Sequence, residues 1–338
     1  MTPEATLSSD QAPGEGPVSG PLWYATGCSV RGAAHRRKGR RNQDALAIWP
    51  TRGLPSRRRL IAVADGHGAD PYVRSEMGAL LACEVAEQAA RAMVSHLDRL
   101  ERHRNAVREF TRWLDEDLAR FVVRRWNELV TADLRVDPLR GGQETGIQAA
   151  RGGSEPPKAG DVRPGPGMST SQAAPATGGA SAPPVPLEEA IDVYGSTLIF
   201  ALLTEYCCVF FQLGDGTLHV ATESGEILAP LPAEPLNLGT DATSLVMPDA
   251  WRYVRIAVVP TEVLHPRLVL AATDGLATSF PEATGMTQFI DGVGQLASKT
   301  PSGELDERLE TALTRYTSEG SGDDITVAVT WRSDQRIE

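Results

Sequence analysis

Apolar positions along the chain fall into blocks of two different periods. "DALAIWP" (Asp44 to Pro50) alternates, and "LIAVA" (Leu60 to Ala64) is an unbroken apolar run of strand length, so both predict strands. "PYVRSEMGALLACEVAEQAARAMVSHL" (Pro71 to Leu97) carries apolar residues at helical spacing, with Pro71 suited to a first turn and Asp70 to the N-cap. "NAVREFTRWLDEDLARFVVRRWNELV" (Asn105 to Val130) predicts a second long amphipathic helix. Later the pattern shortens. "GSTLIFALLTEYCCVFFQLGDGTLHVAT" (Gly195 to Thr222) predicts three successive strands, with turns at Thr204–Tyr206 and Gly214–Gly216. "RYVRIAVV" and "PRLVLAATDG" add two more. Helices near Met286–Ala297 and Ser302–Thr317 follow, then a last strand, Ile325 to Trp331. Strands outnumber helices and often follow one another directly. That predicts an α+β fold of antiparallel sheets with packed helices, not a doubly wound parallel sheet. No internal repeat is visible.

Two stretches carry neither period. Residues 1–20 are rich in Pro, Gly, Ser and Glu and predict a disordered tail. Residues 137 to about 187 have almost no aromatic or large aliphatic side chains and cannot build a core. We read this second stretch as a flexible insertion within one domain spanning 21–333, because candidate functional residues lie on both sides of it. A linker between two separately folding halves is the rival reading.

Charge narrows the partners. The net charge is −11 and the sequence pI about 5.1, which argues against a nucleic-acid partner. Arginines are nonetheless clustered in "HRRKGRR" (His35 to Arg41) and "RGLPSRRR" (Arg52 to Arg59). The four cysteines, Cys28, Cys83, Cys207 and Cys208, lack metal or redox spacing and read as reduced thiols. There is no signal-peptide pattern and no apolar run of bilayer length. A cytoplasmic protein without a membrane partner is expected; oligomeric state is left open.

The candidate chemistry lies at the strand ends. Asp65 follows the run Leu60–Ala64 and is itself followed by Gly66, His67 and Gly68. Asp274 closes "LVLAATDG", Asp323 and Asp324 precede the last strand, Asp44 opens the first, and Asp215 sits in "LGDGT". Burying several like charges costs several kcal/mol each unless they are compensated. A hard divalent cation is the natural compensation, and an all-oxygen donor set favours Mg²⁺ or Mn²⁺ over zinc. Glycines beside the aspartates permit close approach. His67 would then stand beside a metal centre as a general acid. Taken singly, each residue also has a plain structural role: "LGDGT" suits an ordinary hairpin turn, and Asp324 suits a hydrogen bond within its own turn.

The set in order, "RNQDA" (Arg41 to Ala45), "DGHG" (Asp65 to Gly68), "GST" (Gly195 to Thr197), "GDG" (Gly214 to Gly216), "TDGL" (Thr273 to Leu276) and "GDDIT" (Gly322 to Thr326), resembles the metal-dependent PPM-type (type 2C) serine/threonine protein phosphatases. The "SxxG…H…G…QDA" opening, with His35 as its histidine, is similar to a bacterial branch. The resemblance covers about 22–130 and 193–331. It implies a four-layer α-β-β-α sandwich of two antiparallel sheets, with two Mg²⁺ or Mn²⁺ ions at one edge. It implies hydrolysis of phosphoserine and phosphothreonine in protein substrates by direct attack of a metal-bridging hydroxide. By motif match Asp65 bridges both metals, the Gly66 carbonyl reaches one, and Asp274 and Asp323 complete the first site. Asp44 acts partly through water, Asp215 matches a residue linked in some members to a third metal, and His67 matches the proposed general acid. Gly195, Ser196 and Thr197 read as packing.

Two positions depart from the family. Gln43 stands where a second-metal glutamate is usual; an amide oxygen coordinates without charge, which weakens that site. Gly39 stands where a phosphate-clamping arginine is usual, leaving Arg36, Arg37, Arg40 and Arg41 as candidates to replace it. These departures define the alternative: a phosphatase-like regulatory or binding module with weak or lost chemistry.

Overall fold

The computed structural model describes residues 21–69, 71–100, 106–139, 187–232, 243–299 and 302–332. The expected tail, most of the expected insertion, and Asp70 lie outside the described residues. In chain order the elements are β1 (Trp23–Val30), α1 (Ala33–Arg37), β2 (Ala45–Trp49), β3 (Arg59–Ala64), α2 (Ser75–Leu100), α3 (Ala106–Glu116), α4 (Leu118–Val136) and α5 (Leu187–Asp192). There follow β4 (Leu198–Leu203), β5 (Cys207–Leu213), β6 (Thr217–Thr222), β7 (Ile227–Leu228), β8 (Arg255–Pro260), α6 (Thr261–Leu264), β9 (Pro266–Ala272), α7 (Asp274–Ala277), α8 (Ala283–Ala297), α9 (Ser302–Glu319) and β10 (Ile325–Arg332).

The strands form two five-stranded antiparallel sheets, ordered β1-β10-β9-β6-β7 and β2-β3-β4-β5-β8. Their packing follows from the period-two alternation of side chains. On β3, Leu60, Ala62 and Ala64 pack with residues of α2 and α4 such as Val85, Met93 and Trp126. Ile61 and Val63, between them, face the other sheet beside Val269 and Ala328. Every residue of β3 is buried, which is why the strand reads as an uninterrupted apolar run. The outer face of the first sheet is covered by Phe289, Leu309 and Leu313 of α8 and α9. Each such Leu or Phe contributes about 1.5–3 kcal/mol by leaving water. The result is the expected four-layer α-β-β-α sandwich. Cys207 and Cys208, adjacent on β5, point into different cores, and all four cysteines are free. Chain from both sides of residues 140–186 builds one sheet, since β3 pairs with β4. Among the described residues no helix is long and apolar enough to cross a membrane.

Several expectations are corrected. The helix expected over Asn105–Val130 is two, α3 and α4, broken at Asp117, where φ is −116°. The break falls in the acidic stretch "DED", where like charges and low helix propensity oppose continuation. The helix expected from Pro71 begins only at Ser75. The intervening turn is held by other partners: Ser75 N–H donates to the Tyr72 carbonyl (3.2 Å) and Arg74 N–H to that of Val193 (3.0 Å). Strand β1 was not predicted, because Thr26, Gly27, Cys28 and Ser29 interrupt its apolar positions; full-length pairing with β10 supplies the strand. The Gly214–Gly216 turn is no hairpin, since β5 and β6 belong to different sheets. Residues 137–139 and Leu187, inside the expected insertion, are described, and Leu187 opens α5.

Candidate active site

The site is built where strands of both sheets end. Asp65 leaves β3, and its N–H donates to Thr197 Oγ1 (2.9 Å) while its carbonyl accepts from Thr197 N–H (2.8 Å). Gly66 bridges to Ser196, and His67 N–H donates to the Gly195 carbonyl (3.0 Å). "GST" therefore clamps the "DGHG" turn through its backbone and one hydroxyl. Gly66 is required by space: a Cβ there would stand 2.5 Å from the Gln43 carbonyl oxygen and 2.7 Å from that of Ser75. Both obstacles are backbone, so neither can swing aside.

Asp44 precedes β2 and is buried. One carboxyl oxygen accepts from the Thr273 hydroxyl (2.8 Å), and that hydroxyl accepts from Thr326 N–H (2.9 Å). Burial pushes the Asp44 carboxyl up from 3.8 to about 8; the Thr273 hydrogen bond opposes this, and Asp324 and Asp323 add to it. Asp65 is raised well above the ordinary carboxylate range, by burial first and then by the Asp44 and Asp274 charges. Asp274 opens α7 within hydrogen-bonding reach of Asp65; burial raises it, that hydrogen bond lowers it, and Asp215 and Asp323 raise it further. Asp323 has a half-exposed side chain and acts on Asp44, Asp65 and Asp274 together. Asp215 is exposed on the rim, near enough to raise both Asp274 and His67. His67 is lowered by burial and raised by Asp215. Its ring meets Tyr72 edge to face, with centroids 4.7 Å apart at 74°. Gly195 leaves the space for that pair, because a Cβ would overlap both rings.

Gln43 lies beneath this turn. Its Nε2 donates to Ser75 Oγ (2.6 Å) and to the His67 carbonyl (3.3 Å), while Oε1 is buried without a hydrogen-bond partner. Asp324 takes the turn-stabilising role. It accepts from the N–H groups of Gly32 (2.5 Å) and Gln43 (2.7 Å) and so ties the opening loop to β10. His35 Nδ1 stands 2.9 Å from Asp324 Oδ2, too bent for a hydrogen bond, and Nε2 is 3.7 Å from Asp323 Oδ1. Of the four arginine candidates, Arg40 donates to the Gly68 carbonyl and Arg41 pairs with Glu76 at 3.6 Å. Both line a cleft of 270 Å³ with Gln43 and Tyr72. Arg36 is turned onto the Arg31 carbonyl (2.5 Å), Arg37 is exposed at the end of α1, and neither lines that cleft. The sequence reading passed over Tyr72, Ser75 and Thr273. Only Thr273 carried a signal, its place in "TDGL".

The donors fit hard divalent cations. Asp44, Asp65, Asp274 and Asp323 gather from both sheets, and burial is the largest influence on each shifted member. The Gln43 Oε1 atom is an oxygen donor, buried and unused. Among the described residues no three His, Cys, Asp or Glu side chains already surround one point. Asp65 and Asp274 instead act on each other, Asp274 raising the Asp65 carboxyl and Asp65 lowering that of Asp274.

A sandwich of two antiparallel sheets between helices, with an acidic all-oxygen mouth where the sheets meet, defines the PPM class of fold. The protein phosphatase 2C family model matches residues 31–314, and the chain belongs to that family. The match ends before Asp323 and Asp324. Among solved structures the chain is similar to PppA, a regulatory component of T6SS in Pseudomonas aeruginosa, with 15 % identity, 93 % of this chain and 99 % of that one covered, and a TM-score of 0.50. It is also similar to the catalytic domain of the serine/threonine phosphatase PstP in complex with two manganese ions (15 %, 93 % and 99 %, TM-score 0.47). The Mycobacterium tuberculosis serine/threonine phosphatase PstP/Ppp gives 14 % identity, 92 % and 99 % coverage and a TM-score of 0.43. At such identities a likeness shows fold alone. No curated protein matches.

Proposed function

We propose that this chain is a cytoplasmic, Mg²⁺- or Mn²⁺-dependent phosphatase acting on phosphoserine and phosphothreonine in proteins. The observation that carries the reading is geometric: the hydroxyl of Thr273, next to Asp274, donates to Asp44 (2.8 Å) across the two sheets, while Asp65 and His67 share the turn clamped by Gly195–Thr197. Asp65, Asp274, Asp323, the Gly66 carbonyl and the buried Gln43 Oε1 would hold such ions, with Asp44 and the exposed Asp215 as further oxygen donors nearby. Bound there, such ions supply positive charge to phosphoryl oxygens and lower the pKa of a water.

The chain's own residues do the rest. His67 is held by the Gly195 carbonyl and Tyr72 and gives its proton to the departing serine or threonine oxygen. Burial favours the neutral ring that results; Asp215 favours the charged ring that donates. Arg40 and Arg41 bring positive charge to the cleft wall for the phosphate group. Four reduced thiols support a cytoplasmic setting.

Turnover of p-nitrophenyl phosphate and of a phosphothreonine peptide, with Mn²⁺, Mg²⁺ or chelator, tests the reading. Metal-dependent turnover is expected, with Asp274→Asn lower by at least about a hundredfold. A folded protein inactive with either metal would refute it and leave the binding module.

A further inference from the structure

Among the described residues, seven large apolar side chains are strongly exposed. Leu54, Val136, Tyr206 and Val263 are scattered, but Val73 (49 %), Met77 (37 %) and Leu80 (49 %) fall within eight residues, on the turn before α2 and its first turns. Single exposed apolar side chains are ordinary, whereas a contiguous run beside a binding cleft marks an interaction surface. A spacing of three puts Met77 and Leu80 on one side of α2, and Val73 lies on the turn just before it. The run also starts at the candidate site. Val73 lines the cleft together with Tyr72, Arg40 and Arg41, and Tyr72 packs on His67. One wall of the cleft carries Arg40 and Arg41; the other carries Tyr72, Val73 and Glu76, the partner of Arg41, and beyond it Met77 and Leu80 continue outward along α2 as an apolar stripe. Met77 and Leu80 stand about 4.5 Å apart along the axis of α2, and Val73, on the turn before it, lies at the cleft.

We propose that Val73, Met77 and Leu80 form a docking surface for the phosphoprotein substrate. It selects segments with an apolar side chain about two to four residues from the phosphorylated serine or threonine. The proposal rests on the phosphatase reading above. Charge argues for this occupant. A phosphorylated segment places its anion against Arg40 and Arg41 and its apolar neighbour on the stripe. A second copy of the chain in a two-fold contact would set those arginines against their like.

The test uses the Met77→Ser/Leu80→Ser double variant, whose altered side chains point outward. Two phosphothreonine peptides are compared, one with leucines two and four residues to either side and one with serines there. The wild type should favour the leucine peptide about tenfold in kcat/KM, chiefly through KM, and the variant by about twofold or less. Turnover of p-nitrophenyl phosphate, too small to reach the stripe, should be equal in both proteins. Fluorescence anisotropy of the peptides in chelator reads the same preference as Kd without turnover. Equal handling of the peptides by the wild type, or an undiminished preference in the variant, overturns the proposal. No turnover of any substrate, with the leucine preference kept in anisotropy, sinks the phosphatase reading and leaves the docking surface standing. Concentration-dependent dimerisation that the variant abolishes assigns the stripe to a second copy and overturns the proposal.

Discussion

Asp44 gives the sharpest test of the electrostatics, because its charge is a cost to the metal-free fold. Burial and the Asp323 and Asp324 charges push it from 3.8 to about 8. At pH 7 the unfolded chain carries this carboxylate freely, while the folded chain must protonate it or hold an unfavourable charge. The difference amounts to about 4 kcal/mol at pH 7. The interactions of Asp44 with its neighbouring carboxyls lower what one substitution recovers, so Asp44→Asn should stabilise the metal-free protein by about 1–4 kcal/mol. Asparagine keeps an oxygen to accept from the Thr273 hydroxyl, so the packing contact survives. The sign fixes the pH dependence. A carboxyl raised in the folded state stabilises below its unfolded value of 3.8, and that stabilisation is lost as pH rises towards about 8. The gain from Asp44→Asn should therefore vanish near pH 4 and grow through neutrality. Thermal melts in chelator at several pH values measure it, at about 2–4 °C per kcal/mol. Saturating Mn²⁺ should narrow or reverse the gap, since the wild type gains more from bound metal. A variant that melts no higher at pH 7 in chelator, or whose gain is the same at pH 4.5, would refute the reasoning.

Two further substitutions probe the same mouth. Gln43→Glu puts a charge on the buried, unpartnered Oε1 position, so metal affinity measured by calorimetry should tighten about tenfold or more, while the metal-free protein melts lower; unchanged or weaker affinity would remove Gln43 from the donor set. Gly66→Ala drives a Cβ onto two backbone carbonyls and should cost about 1–3 kcal/mol in denaturant unfolding. Activity should fall further than stability, because the Asp65–His67 turn is what shifts, and wild-type-like melting would contradict the packing described.

What the sequence made legible depended on whether a signal lay within one strand. The run Leu60–Ala64 announces β3 because both of its faces are covered, and an apolar run ending in Asp-Gly marks Asp65 and Asp274. β1 is silent because its polar positions become a strand only through β10. The arginine cluster offers four equivalent residues in sequence. Only the Gly68 carbonyl and Glu76, from elsewhere in the chain, select Arg40 and Arg41. Asp323 and Asp324 are adjacent and identical, yet one is half exposed and the other buried under two backbone N–H donors. Their division of labour follows from the opening loop, nearly three hundred residues away in sequence. The same holds for the demand for cations. Asp44 and Asp65 belong to one sheet, Asp274 and Asp323 to the other, and each pair alone would sit at a solvated strand end. Packing the sheets over Ile61, Val63, Val269 and Ala328 brings the pairs together. Hydrophobic burial thus drives the carboxylates into mutual repulsion, and the Thr273 hydroxyl, reaching from one sheet to Asp44 on the other, offsets only a part of it. The rest is free energy that a bound divalent cation can recover.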